Sequence, residues 1–141
     1  MASERGPRPR ASVLGVIAIG GVAGAACRYG LTRLITAKQP FPWATLLINV
    51  TGSFVLGALL VLLAMRLPAS RFVRPLLATG FLGAYTTYST FAVETDVLVK
   101  DGHGPAALAY AGATLVGGLL AVAAGMLAAR CVPPRREGRE G

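Results

Sequence analysis

The sequence predicts an all-α membrane protein with four transmembrane helices, on three observations. Only 14% of its residues are charged, 54% are hydrophobic and the mean hydropathy is +0.60, whereas a soluble domain carries roughly 25% charged residues. Four uncharged runs, Ala11–Cys27, Gln39–Met65, Pro75–Val93 and Gly104–Ala129, hold 17, 27, 19 and 26 residues, and a bilayer-spanning helix needs about 20. The connections between the runs are short, which leaves almost no soluble domain. Helices satisfy their own backbone in lipid, where a partial sheet could not. The spans are expected near 11–35, 42–65, 72–99 and 105–130. They form one four-helix transmembrane domain over 11–130, between a basic N-tail (1–10) and a C-tail (131–141) whose Pro/Gly/Arg/Glu composition reads as disordered. Four helices enclose little interior of their own, so an oligomer is expected.

A net charge of +8 could suggest a nucleic-acid partner, but its placement argues for a bilayer instead. Arg5, Arg8 and Arg10, then Arg66, Arg71 and Arg74, then Arg130, Arg135, Arg136 and Arg139 all fall on one side of a four-helix topology. The other side has Arg33, Lys38 and Lys100, so the count is ten Lys/Arg against three. The positive-inside rule then places both termini in the cytoplasm. The two cysteines, Cys27 and Cys131, have no metal-site spacing. Basic "RGPRPR", an apolar run and "GAAC" are similar to a lipoprotein signal. Gly24 is a poor match three residues before the cysteine, and the pattern continues as "RYGLTRLI", so the segment is read as the first span.

In that span "GGVAGAACRYG" sets Gly20 and Gly24, then Gly21 and Ala25, four residues apart, the spacing that lets helices approach closely. Arg28 is a charge within a membrane segment. It either snorkels to the interface or faces a vestibule, where it would attract an anion or bind carbonyls. In the second span Thr45, Asn49, Gly52, Ser53 and Gly57 share one helix face. Asn49 offers two N–H donors and one acceptor, and serves either a helix–helix hydrogen bond or a pore lining. Phe41 and Trp43 read as interfacial anchors.

The third span ends in "GAYTTYSTFAVE". Small, hydroxylated and β-branched residues weaken a helix interior, and threonines can bend it by bonding one turn back. A break here frees backbone groups, which membrane depth tolerates only beside a cavity or ion. The alternative is a hydroxyl-rich packing seam. Tyr85, Tyr88 and Phe91 recur at three-residue spacing, as an aromatic ridge whose ring edges could meet an anion. Glu94 stands at a pore mouth or at the water boundary with Asp96. In the fourth span Tyr110 and Thr114, with Gly117 and Gly118, continue one face, either close packing or a hydroxyl track. His103 in "DGHGP" reads as turn material.

Taken together, "GGVAGAACRYG", "PWATLLINVTGSFVLG" and "GFLGAYTTYSTF" followed by Glu94 resemble the Fluc (CrcB) fluoride channels over roughly residues 12–128. The resemblance implies a third helix broken near its middle and an antiparallel, dual-topology dimer. It further implies two fluoride pores built from both subunits and a structural sodium ion at the dimer centre. By position, the sodium ligands would be main-chain carbonyls of Gly83 and Thr86. Asn49 matches the fluoride-binding asparagine, and Phe91 the second phenylalanine of an aromatic box. Tyr88 stands where the first box residue is usually phenylalanine. Tyr110 and Thr114, alongside Ser89 and Thr90, match a hydroxyl track. Arg28, Glu94 and Thr45 fall at the vestibule and pore mouth. The implied function is passive, fluoride-selective export that relieves fluoride toxicity, with no catalysis. The bias of ten basic residues against three departs from a chain that inserts both ways. It fits a chain that inserts mainly with its termini inside and pairs with a paralogous chain of opposite bias, the alternative to a homodimer. The rivals are a small multidrug-resistance-type exporter, which would need a carboxylate where the first helix has Arg28, and a non-conducting packing subunit, which would not need hydroxyl stripes on three helices.

Overall fold

The computed structural model describes residues 11–35, 41–65 and 70–131, and these are mostly helical with no strand among them. Helix α1 is Ala11–Leu34 and α2 is Trp43–Met65. The third span is two pieces. Here α3 denotes residues 75–85, a π-helical run Pro75–Leu82 that passes into one α turn, Gly83–Tyr85. Helix α4 is Ser89–Lys100 and α5 is Gly104–Cys131. Helices α1, α2 and α5 are each long and apolar enough to cross a membrane alone. The third crossing expected over 72–99 is shared by α3 and α4. The N-tail and most of the C-tail lie outside the described residues; Cys131, assigned to the tail from sequence, ends α5.

Two glycine seams hold the bundle. Helix α2 packs along α5, and α1 packs against α3. A β-carbon at Gly57 would overlap the Val122 carbonyl, and one at Gly125 the Phe54 carbonyl. On the other seam, Gly20 meets the Leu76 carbonyl and Gly24 the Phe81 carbonyl, while Gly80 meets Ile17. Backbones therefore touch directly, which trades side-chain volume for many short dispersion contacts where lipid supplies no hydrophobic drive. Gly20 and Gly24 thus do what their spacing predicts. Their neighbour Gly21 faces open space.

The π-helical run brings an N–H of Gly83 to the carbonyl of Ala78, five residues back. Such turns carry one extra residue and often mark functional sites. Pro75, which has no N–H, begins the run. At the far end of the bundle Leu46, Leu98, Ala107 and Tyr110 form a small buried core with Phe91 and Phe41 against it. Val22, Leu108, Leu119 and many other large apolar side chains are exposed, as a surface facing lipid or another chain would be.

Candidate functional site: a broken helix beside an open groove

The break is at Thr86. Its backbone is extended, with φ −76° and ψ 157°, between the turn ending at Tyr85 and Tyr88, where helical geometry resumes. The Thr86 N–H and hydroxyl both donate to the Leu82 carbonyl, at 3.0 and 2.9 Å. The next N–H, of Thr87, would close the helix on Gly83. Instead it donates to Asn49 Oδ1 at 2.9 Å, and Asn49 Nδ2 donates to the Thr87 carbonyl at 2.9 Å. The backbone fixes the amide's orientation here, because an N–H must meet the oxygen and a C=O the nitrogen. Asn49 thus supplies, from α2, the peptide pairing that the break removes. One Nδ2–H remains for another acceptor, and the Gly83 carbonyl is left without its α-helical donor.

The other side of the break is pinned as well. Thr51 Oγ1 donates to the Leu47 carbonyl at 2.7 Å, so the 2.9 Å contact with Tyr85 has the Tyr85 hydroxyl as donor. A β-carbon at Gly52 would run into Thr86 Cγ2, so this position of α2 must stay bare. Tyr85→Phe is expected to lower stability by about 0.6 kcal/mol, the average for an interhelical hydrogen bond in a membrane, with unchanged ion selectivity. A thermal-denaturation series in detergent reads the first and a two-anion flux comparison the second.

Beside the break lies an open groove of about 530 Å³, mostly apolar, reached by Asn49, Gly83, Thr86, Tyr88, Phe91 and Thr114 among others. The Thr114 side chain is buried, and its hydroxyl has no hydrogen-bond partner among the described residues. Tyr88 and Phe91 have ring centroids 5.9 Å apart at 48°. The aromatic ridge expected from spacing is split by the break: Tyr85 is 8% exposed and packed inward, Tyr88 is 80% exposed. A period of three assumes a continuous helix, and Thr86 cancels that register.

Glu94, Thr45 and Tyr110 form a second cluster. Thr45 Oγ1 donates to Glu94 Oε1 at 3.0 Å and Tyr110 OH to Oε2 at 2.7 Å. Phe91 links the two regions, its ring 5.3 Å from that of Tyr110. Ser89 and Thr90 are not among the groove residues. Thr90 N–H donates to Thr87 Oγ1 at 3.2 Å, a cap on the start of α4. Thr87 also donates its hydroxyl to Thr90 Oγ1 at 3.1 Å, and Ser89 is exposed. Arg28 is half-buried on α1, pairs with no carboxylate among the described residues, and is not brought to the groove. Sequence reasoning did not single out Thr87, Thr51 or Tyr85 as anchors. The one available signal was that Thr51 and Asn49 lie within one turn of α2.

The fold and groove define a helical integral membrane protein with a polar site at a broken helix. More specifically, the chain belongs to the CrcB family: the family described as CrcB-like protein, Camphor Resistance (CrcB), matches residues 15–126. It is similar to "Fluoride-specific ion channel FluC 1" of Streptomyces coelicolor, 43% identical over 92% of this chain and 85% of that protein. It is also similar to "Fluoride-specific ion channel FluC 2" of Moorella thermoacetica, 45% identical over 80% of this chain and 93% of that one. A third relative, "Fluoride-specific ion channel FluC 1" of Rhodopseudomonas palustris, is 43% identical over 86% of this chain. The family is one of ion channels rather than enzymes.

Proposed function

We propose that this chain is half of a fluoride-selective passive channel that lets cytoplasmic fluoride leave the cell. The observation that carries this reading is the lining of the groove. The spare Asn49 N–H, the Thr114 hydroxyl and the Tyr88 and Phe91 rings offer hydrogen-bond donors and ring edges without a fixed cation. Fluoride is small and tightly hydrated, and a pore must replace its water with donors that do not trap it. A buried hydroxyl left unpaired costs about 1–3 kcal/mol, so Thr114 gains from an anion or a water placed beside it. The relatives named for fluoride support the same assignment.

The groove is open along one side, which supports a second chain closing it. The proposed assembly is an antiparallel dimer with two pores, either of two copies or of this chain with a paralogue of opposite charge bias, with the termini of this chain cytoplasmic. Tyr88 and Phe91 are its aromatic box, Asn49, Ser89, Thr90, Tyr110 and Thr114 its hydrogen-bonding track, and Arg28, Glu94 and Thr45 its vestibule and mouth. The break also suits a structural sodium ion. The Gly83 carbonyl has lost its helical donor to Asn49, Thr86 is extended, and both residues border the groove, so neutral oxygens are free for a hard cation. Gly83 and Thr86 of each chain would hold it, and the ion would offset the carbonyl dipoles brought together at the dimer centre.

The test is fluoride efflux from liposomes, with this chain alone and with an adjacent paralogue. Rapid fluoride release without chloride release is expected in at least one arm. No flux in either arm, or equal chloride flux, defeats the reading.

A further inference from the structure

Charge is divided sharply between the two ends of the bundle. At the end where α3 begins and α5 stops, Arg71, Arg74 and Arg130 are all exposed, and no carboxylate among the described residues accompanies them. The acidic side chains Glu94, Asp96 and Asp101 belong to α4 and the turn after it, toward the opposite end. There Lys100 is already paired, its Nζ 2.6 Å from Asp96 Oδ2. The whole sequence has the same division. The first end, with its tails, has ten Lys/Arg and three acidic residues (Glu4, Glu137 and Glu140), and the other has three and three. The Arg71 guanidinium also lies 4.5 Å from the centroid of the Phe72 ring. Phe72 is half-buried at the start of the third crossing, so the stacked arginine sits where apolar chain gives way to water.

We propose that this end is a binding surface for anionic phospholipid headgroups. Insertion alone requires only that the charges stay on one side. Arginines held at the interface, in excess over the acidic residues of that end and with no carboxylate beside them among the described residues, do more: a guanidinium takes a phosphate diester through two parallel hydrogen bonds, and the stack on Phe72 keeps one of them at that depth. An anionic lipid satisfies the excess charge, and a zwitterionic one brings its own cation to compete. Each arginine near a charged leaflet contributes about fivefold in affinity, so Arg71, Arg74 and Arg130 together supply a preference well above tenfold.

The test reads lipid retention, not ion flux, and so stands apart from the channel assignment. The purified full chain in detergent is titrated with phosphatidylglycerol or phosphatidylcholine, and bound lipid is counted by native mass spectrometry. Phosphatidylglycerol is expected to be retained at least tenfold better, less so as salt rises. The combined Arg71→Gln, Arg74→Gln and Arg130→Gln variant should lose most of that preference, while Arg33→Gln, at the other end, should keep it. Equal retention of the two lipids by the unaltered chain overturns the proposal, as does a preference that survives the triple change or is indifferent to salt. The salt titration uses the unaltered protein, so the outcome does not depend on the triple variant folding.

Discussion

Asn49→Asp is expected to reduce fluoride flux by at least about tenfold in a protein that still assembles. The amide has two tasks, to pair with the Thr87 backbone and to present its remaining N–H to the groove. A carboxylate keeps the acceptor for the Thr87 N–H, so half of the clamp survives. It loses the donor to the Thr87 carbonyl, loses the spare N–H and places negative charge on the route of an anion. A hydrogen bond to a charged partner is worth about 1.5–3 kcal/mol, and each 1.4 kcal/mol is a factor of ten. Asn49→Ala goes further, because both Thr87 backbone groups are then left without partners, at about 1–3 kcal/mol apiece, and poor folding is expected. Flux is read in liposomes and assembly by size exclusion. Unaltered flux in the aspartate variant would show that Asn49 only secures the break.

The second large effect is expected at Gly24. Gly24→Leu should abolish the folded, monodisperse protein, while Gly15→Leu on the same helix should leave it intact. A β-carbon at Gly24 would lie inside contact distance of the Phe81 backbone, and one at Gly15 would meet nothing. Overpacking usually costs about 1–3 kcal/mol when side chains can move aside. Here the obstruction is main chain in the turn that leads to the break, so α1 must separate from α3. Size exclusion of the two variants side by side is decisive. If they elute alike, close approach at Gly24 is not what joins these helices.

Much of the architecture was legible in the sequence, because lipid makes helix length and charge placement strong constraints. The first, second and fourth helices lie within one residue of the spans expected near 11–35, 42–65 and 105–130. The polar face of α2 was legible too. Thr45, Asn49 and Gly52 all turn inward, toward Glu94, Thr87 and Thr86. Periodicity could not give the partners across the break. Pairing Asn49 with Thr87 depends on one extended residue, and a helical wheel has no place for it. The same residue separates Tyr85 from Tyr88 and undoes the ridge read from spacing. The π-helical run was not legible either, since "PLLATGFL" has nothing that sets it apart from an ordinary apolar helix.

The pairing of α2 with α5 places the last crossing of the chain against the second. During synthesis this imposes an order of events. About forty residues separate the end of α2 from the start of α5, roughly 2–8 s of translation at 5–20 residues per second. Throughout that interval the bare backbone along Gly57 lacks the α5 backbone that covers it, and Glu94, once made, has Thr45 but not yet Tyr110. Until α5 is in place, the seam along α2 is half made. The bundle is therefore completed by α5, which fills the glycine seam and gives the half-buried Glu94 carboxylate its tyrosine.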